Sequence, residues 1–280
     1  MNVVYGSELS KELKENLTKE ISLIRGRKPT LAVILVGENP ASVSYVRGKN
    51  KACVEVGMNC NQIDLKEDTS EEELIKLVKK LNDDKSVDGI LVQLPLPKHI
   101  NQKNVLQSID PSKDVDGLHE INAGKLFLGE DGFVPCTPLG IMKLLERMNC
   151  DVAGKEVVVV GRSNLVGLPV SRLLTKANAT VTVCHSKTKD LPAVCKRADI
   201  LVVAIGKPKF VTSEFVKDGA YVIDVGVNRV DGKLCGDVDF EGVGEKCSAI
   251  TPVPKGVGPM TITMLLFNTL KAYKLMRESK

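Results

Sequence analysis

Lys49 occupies a position that the surrounding pattern reserves for an apolar residue. At about 100° per residue, Tyr45, Val46, Ala52, Cys53 and Val56 form one stripe of a helix, with Lys49 in its middle. Arg47, Asn50, Lys51 and Glu55 lie off the stripe, as a solvated face should. Such a lysine has two readings. Its stem can follow the apolar face and carry the ammonium to water. Alternatively, the amine is partly desolvated, with a lowered pKa that lets it bind or transfer protons near neutrality. Tyr45 sits one turn earlier on the same face, so the two side chains can meet a single ligand.

Gln93 interrupts the otherwise apolar run Ile90-Leu-Val-Gln-Leu94. A buried amide needs hydrogen-bond partners, and at the carboxyl end of a parallel strand it faces a ligand crevice or simply reaches solvent. Asp110-Pro-Ser-Lys-Asp114-Val-Asp116-Gly117 concentrates carboxylates among turn formers, which reads as an ordinary turn or as a polar anchor for a ligand.

Val157-Val-Val-Val-Gly161-Arg-Ser163-Asn-Leu-Val-Gly167-Leu-Pro169 has the order strand, glycine turn, helix. It departs from G-x-G-x-x-G, because Ser163 stands at the second glycine and the next glycine comes late. A helix start after an apolar strand can still hold a pyrophosphate on its free amides. In NAD-type sites a carboxylate about 20 residues on binds the ribose hydroxyls. Here the following strand ends in Cys184-His185-Ser186-Lys187, and no carboxylate appears before Asp190. With Arg162 in the turn, a 2′-phosphate is better received than a bare ribose, which favours NADP over NAD. Thr251-Pro-Val-Pro-Lys-Gly-Val-Gly-Pro259 is a stiff loop leading into the last helix, either a linker or a loop that closes over a flat ligand.

These residues need a scaffold, and the remaining pattern supplies one. Leu31–Val36, Met58–Leu65, Asp88–Leu94, Val157–Val160, Thr180–Val183, Ile200–Ala204 and Tyr221–Val225 read as strands. Helical segments separate them: Asn39 to Gly57, Thr69 to Leu81, Thr137 to Met148, Leu165 to Ala177, Asp190 to Arg197 and Gly258 to Arg277. That alternation predicts parallel sheets built from βαβ units. The stretch from Pro111 to Pro135 reads as irregular, and the boundary between halves falls near residues 120–150.

Composition narrows the classes. The 280 residues are 43% hydrophobic and 26% charged, which excludes disorder. No apolar run approaches the ~18 residues of a membrane span. The net charge is +4, basic residues are dispersed, and there are only six Phe, four Tyr and no Trp, so nucleic-acid binding is not expected. Eight cysteines lack any C-x-x-C pair, which reads as buried free thiols in a reducing cytoplasm and no metal site. The N-terminal MNVVYGSELSKELKENL is not read as a secretory signal.

Seven segments, in order, carry a resemblance. They are Tyr45-Val-Arg-Gly-Lys49, Val92-Gln-Leu-Pro-Leu-Pro97, Lys113-Asp-Val-Asp-Gly117, Cys136-Thr-Pro-Leu-Gly140, Gly161-Arg-Ser163 with Val166-Gly-Leu-Pro169, Asp224-Val-Gly-Val-Asn228, and Thr251-Pro-Val-Pro with Gly256-Val-Gly-Pro259. Together they resemble the bifunctional methylenetetrahydrofolate dehydrogenase/methenyltetrahydrofolate cyclohydrolase family over nearly the whole chain. The resemblance implies a two-domain α/β fold around a cleft. Residues 1–120, joined by the C-terminal helix 260–280, form the catalytic folate-binding domain, and 121–259 form a Rossmann-type NADP-binding domain. It implies a cytoplasmic homodimer of one-carbon metabolism, without nucleic-acid or membrane partners. Such an enzyme oxidises 5,10-methylenetetrahydrofolate with NADP and hydrolyses the methenyl product to 10-formyltetrahydrofolate.

By match to the family's motifs, Lys49 is the key residue of hydrolysis, Tyr45 packs on the folate, Gln93 partners the lysine and Asp116 grips the pterin. Gly161, Arg162, Ser163, Ser186 and Val227 match cofactor contacts, and Pro254 and Gly258 match folate-loop positions. Two departures stand out: Lys255 replaces a glycine of the family's loop, and Leu165 replaces an isoleucine. Tyr45 and Lys49 also satisfy the Y-x-x-x-K of short-chain dehydrogenases, but there the glycine turn precedes the pair, and here Gly161 follows it by 112 residues. A monofunctional dehydrogenase and a non-catalytic folate- or nucleotide-binding protein on the same fold are the remaining alternatives, and the presence of both Lys49 and Gln93 weighs against each.

Overall fold

In the computed structural model, which describes residues 2–278, the chain divides into two compact units. One comprises Glu12–Cys136 and the chain from Ile262 onward; the other comprises Thr137–Thr261 with the N-terminal segment up to Lys11.

The first unit is organised on a three-stranded parallel sheet. Helix α1 (Gly6–Ser22) precedes β1 (Thr30–Val36), α2 (Pro40–Glu55), β2 (Asn59–Leu65), α3 (Glu71–Asp83) and β3 (Gly89–Val92). The strand order is β2-β1-β3. β1 is central, and all seven of its residues are buried, as its uninterrupted apolar run demands. β2 and β3 flank β1 on opposite sides, so the winding reverses between β1 and β3, and a crevice opens beyond their carboxyl ends. Asn39 Oδ1 accepts from the Ala41 and Ser42 amides and starts α2 at that end, with Pro40 in the first turn. A capping box starts α3, Ser70 and Glu73 satisfying each other's backbone amides. Ala32, Ile34, Leu74, Val78 and Ile90 are core members between β1, β3 and α3.

After β3 comes α4 (Gln102–Gln107), and the segment from Pro111 to Pro135, expected to be irregular, contains a helix, α5 (Glu120–Leu128). The Asn122-Ala-Gly124 sequence that reads as a breaker is inside α5. The helix survives because both ends are chemically closed. His119 Nδ1 accepts from the Ile121 amide, and Gly129 ends it in the left-handed conformation at φ 82°.

The second unit carries α6 (Cys136–Arg147), β4 (Glu156–Val160), α7 (Gly167–Lys176), β5 (Thr180–Cys184), α8 (Leu191–Cys195) and β6 (Ile200–Val203). Then follow β7 (Tyr221–Asp224), β8 (Asn228–Val230), β9 (Lys233–Cys235), α9 (Phe240–Gly244) and β10 (Ala249–Ile250). α10 (Val257–Glu278) begins here and belongs to the first unit from Ile262. The five parallel strands run β10-β7-β6-β4-β5, a doubly wound sheet whose switch point lies between β4 and β6. β8 and β9 form an antiparallel hairpin that is absent from the expected strands. Its signal was present: Asp231 and Gly232 take φ 48° and 76°, as a two-residue Asp-Gly hairpin turn requires.

Candidate functional site

In the first unit the chemistry gathers at the β1/β3 switch point. Lys49 is only 8% exposed on α2, and its ammonium donates to Gln93 Oε1 at 2.8 Å. Gln93 directly follows β3, where its backbone amide still donates to Ile34 O. The snorkelling reading of Lys49 is thereby excluded. Burial pushes its pKa below the ordinary lysine value, and the negative charge of Asp116 opposes part of that shift. The rest of the stripe, Val46, Ala52 and Cys53, is buried as predicted, but Tyr45 is 40% exposed. A tyrosine ring left uncovered one turn from a buried amine can present its face to a flat ligand, whereas a core residue would be covered. On the same helix Gly48 faces α10, where a Cβ would lie 3.4 Å from Ile262, an ordinary van der Waals distance.

Asp116 is half-buried, and the turn that carries it is held from several sides. Asp114 is 1% exposed and accepts from the Leu118 and His119 amides and from Asn122 Nδ2. Gly117 sits at φ 72°, where a Cβ would be 2.6 Å from the Val134–Pro135 backbone. Asn268 of α10, 5% exposed, donates to Val115 O at 2.8 Å, to Val134 O at 3.0 Å and to Cys136 Sγ at 3.7 Å. Burial, and then the Asp116 charge, push the Cys136 thiol well above its ordinary pKa, so it remains a neutral neighbour of Asp116. Sequence reasoning missed Asn268 and Asn122, and it named Asp114 only as one of a cluster of carboxylates. Asn268 had a legible signal, an amide within an apolar helix, but nothing local named its partners.

In the second unit the glycine turn stands at the β4/β6 switch point. Gly161 adopts φ 126°, and a Cβ there would lie 2.2 Å from Ala204 O. A Cβ on Gly167 would be 2.2 Å from Gly161 O, so α7 packs directly on the turn. Ser163 stabilises it, its hydroxyl accepting from the Val166 amide and its carbonyl from the Leu168 amide. Val166 at the start of α7 offers no side-chain cap; with the Leu168 amide held by Ser163 and no N–H on Pro169, the Gly167 amide and the positive end of the helix are what this turn offers an anion. Arg162, Ser163 and Ser186 are exposed, Val227 is 47% exposed, and Arg162 forms no ion pair with a described residue. Asp190 caps Ala193 of α8, so the nearest carboxylate after β5 is already engaged. This donor set, a backbone cradle with an arginine and without a carboxylate at the end of β5, fits NADP.

Pro254, Lys255 and Gly258 lie in the loop and first turn of α10, and Pro254 and Lys255 are exposed. Lys255 holds φ 80°, a left-handed conformation that glycine adopts without strain and that costs other residues about 1–2 kcal/mol.

A doubly wound unit with a nucleotide turn, accompanied by an α/β unit that buries an amine against an amide, defines a two-domain pyridine-nucleotide-dependent enzyme. Comparison with known proteins specifies the class further. The model of the tetrahydrofolate dehydrogenase/cyclohydrolase catalytic domain matches residues 4–116, and that of the same family's NAD(P)-binding domain matches residues 135–277. A protein of Acetivibrio thermocellus named bifunctional protein FolD is 55% identical, with 99% of each chain covered. The crystal structure of the bifunctional FolD methylenetetrahydrofolate dehydrogenase/cyclohydrolase of Campylobacter jejuni is 51% identical, covers 99% of each chain and superposes with a TM-score of 0.97. The Trypanosoma brucei enzyme, whose structure is complexed with NADP cofactor and inhibitor, is 40% identical with a TM-score of 0.94 and covers 98% of this chain and 97% of its own. The chain belongs to the tetrahydrofolate dehydrogenase/cyclohydrolase family. It is a bifunctional enzyme, a dehydrogenase and a cyclohydrolase. Among the described residues no helix is long and apolar enough to cross a membrane.

Proposed function

We propose that the Lys49 crevice is the folate site and that the turn at Gly161 is the cofactor site. The enzyme oxidises 5,10-methylenetetrahydrofolate with NADP and hydrolyses the methenyl product to 10-formyltetrahydrofolate. In this reading residues 1–120 with 260–280 hold the folate, and 121–259 hold NADP. The observation that carries the reading is the Lys49–Gln93 pair, an 8%-exposed amine with a neutral amide acceptor at 2.8 Å.

When bound, the oxidised cofactor supplies a two-electron acceptor. Arg162 and Ser186 receive its 2′-phosphate, Gly161 and Ser163 line its pyrophosphate turn, and Val227 covers it. Oxidation needs no protein acid or base, because the product cation is delocalised over the two folate nitrogens; alignment is what the protein contributes. Asp116 accepts hydrogen bonds from the pterin and Tyr45 covers its ring; Pro254 and Gly258 are carried as folate-loop positions by the family motif alone.

Hydrolysis does need proton movement. Neutral Lys49 accepts a proton from water as its oxygen bonds to the methenyl carbon. It returns one to N5 as the N5–carbon bond breaks, and the hydroxyl proton leaves, so one proton is released overall. Burial makes the neutral amine accessible, and Gln93 holds the charged form in place, so Lys49 can serve in both directions.

The direct test mixes enzyme and methylenetetrahydrofolate with NADP or NAD and follows reduced cofactor and methenyl absorbance together. Transient methenyl with preference for NADP is expected; methenyl that accumulates without decay excludes the cyclohydrolase. Asp116→Ala should raise the folate KM of both activities about 10–100-fold, the effect of losing hydrogen bonds to a charged group, with NADP affinity unchanged. An unaltered folate KM removes Asp116 from the site. Ser186→Asp sets a carboxylate against the 2′-phosphate and should raise the NADP KM at least about tenfold while NAD use improves; equal NADP use refutes the phosphate pocket. The cytoplasmic homodimer belongs to the same reading, and light scattering on the eluted enzyme distinguishes a dimer from the monomer mass of 30.4 kDa.

A further inference from the structure

Two carboxylates are buried in the second unit without touching the glycine turn. Asp237 is fully buried and Asp224 is 3% exposed. Their bonds form a relay between loops. Asp237 Oδ2 accepts from two successive amides, Ile205 at 2.7 Å and Gly206 at 2.9 Å, directly after β6. Its Oδ1 accepts from Asn228 Nδ2 at 2.9 Å, one residue beyond Val227. Asp224 in turn accepts from the Asp237 and Val238 amides at 2.9 and 3.0 Å and so fixes the backbone on which Asp237 stands.

The surrounding glycines are shaped to these carboxyls. A Cβ on Gly226 would lie 2.1 Å from Asp237, and one on Gly236 would lie 1.7 Å from Asp224 Oδ2. Consecutive amides converging on one oxygen make an anion nest. Here the protein fills that nest with its own carboxylate, which leaves the start of α7 as the anion position of the turn. The segment so held, Ala204 to Gly206, is the one against which Gly161 packs.

We propose that Asp237 is a positioning residue of the cofactor site: by tying the loop after β6 to the loop after β7, it fixes the β6 wall of the switch point, against which Gly161 packs, and hence the affinity for NADP. The family resemblance pointed to Val227 but not to Asp237, which lies across a hairpin from it. The inference rests on NADP binding in this unit, which the parent enzyme, measured beside the variants, tests by itself.

The experiment titrates NADP into the full chain without folate and follows binding by calorimetry. Asp237→Ala should raise the Kd at least tenfold. The NADP KM should follow, dehydrogenase kcat at saturating NADP should stay within about twofold, and cofactor-free hydrolysis of methenyltetrahydrofolate should be unchanged. Val243→Ala, a truncation of the buried α9 residue in the same core, controls for lost stability. It should lower Tm and leave the Kd within about twofold. If Asp237→Ala does not fold, Asp237→Asn decides, since its oxygen still serves both amides without the charge. It should weaken NADP about threefold and accelerate hydrogen exchange at Ile205 and Gly206. A parent-like Kd in Asp237→Ala, a parent-like Kd with accelerated exchange in Asp237→Asn, or an equal loss of affinity in Val243→Ala overturns the proposal.

Discussion

Lys49→Met is expected to lose cyclohydrolase activity by a factor of about 10²–10⁴ and to melt at a higher temperature than the parent. The first effect follows from removing the amine beside Gln93 to which the proposed mechanism gives the proton transfer, the range being that of general acid–base catalysis. The second follows from linkage. The folded-state pKa of Lys49 lies below the unfolded value, so the unfolded chain binds the proton more tightly. Stability therefore rises with pH between the depressed folded value and the ordinary lysine value of 10.5, and below that window the folded protein bears the full desolvation cost. Methionine has similar length and no charge, so it removes the cost, for a gain of about 1–2 kcal/mol. Thermal scans at several pH values check the sign: the parent should approach the variant as pH rises. NADP affinity should stay at the parent value, since the nucleotide turn is elsewhere in the chain. Parent-like hydrolysis in the variant would remove Lys49 from the mechanism. Lost hydrolysis with a lowered Tm would instead mark the amine as a structural group.

That prediction was partly legible in the chain itself. The position of Lys49 follows from helical periodicity, and periodicity is local. Gln93 was legible for the same reason, as one polar residue in an apolar strand. The role of Asp116 was not, because an Asp-Gly pair reads as a turn whether or not its carboxylate is used. Only the constraints around it, Asp114 below and the Asn268 amide bridging Val115 and Val134, separate an anchored carboxylate from a loose one. Those contacts join residues as many as 153 apart in the chain, and no window of sequence contains them.

In the fold the same division holds. Strands buried on both faces, such as β1 and β4, announce themselves by composition. Helix α5 did not, because its stability comes from capping by His119 and from Asn122 reaching back to Pro111 O and Asp114, while its own residues include Gly124 and Asn122. The β8–β9 hairpin shows a different failure. Its Asp-Gly turn was readable, but its strands have three residues each, too short for an alternation to register.

Gly161→Ala is the counterpart of the lysine variant and should abolish the dehydrogenase while sparing hydrolysis. Its Cβ would fall 2.2 Å from Ala204 O and 3.0 Å from Ala204 C, at a φ of 126° that L side chains rarely adopt. Neither obstacle can relax alone. The Ala204 amide donates to Val160 O at 2.8 Å, and the Gly161 amide donates to Cys184 O at 2.9 Å, so both backbones are tied into the sheet. Relief must come from displacing the turn, and α7 rests on that turn through Gly167. In the proposed site the Gly167 amide and the positive end of α7 are then moved off the pyrophosphate, and NADP affinity should fall at least about 100-fold, the equivalent of ~3 kcal/mol, within the range for backbone strain at such positions. Calorimetric titration measures the loss. Hydrolysis of methenyltetrahydrofolate added directly, without cofactor, should remain within about twofold, because Lys49, Gln93 and Asp116 belong to the other unit. Taken with Lys49→Met, the variant separates two activities that one chain carries. If Gly161→Ala binds NADP within about threefold of the parent, the glycine turn is not the pyrophosphate site and the nucleotide must be held at another strand end.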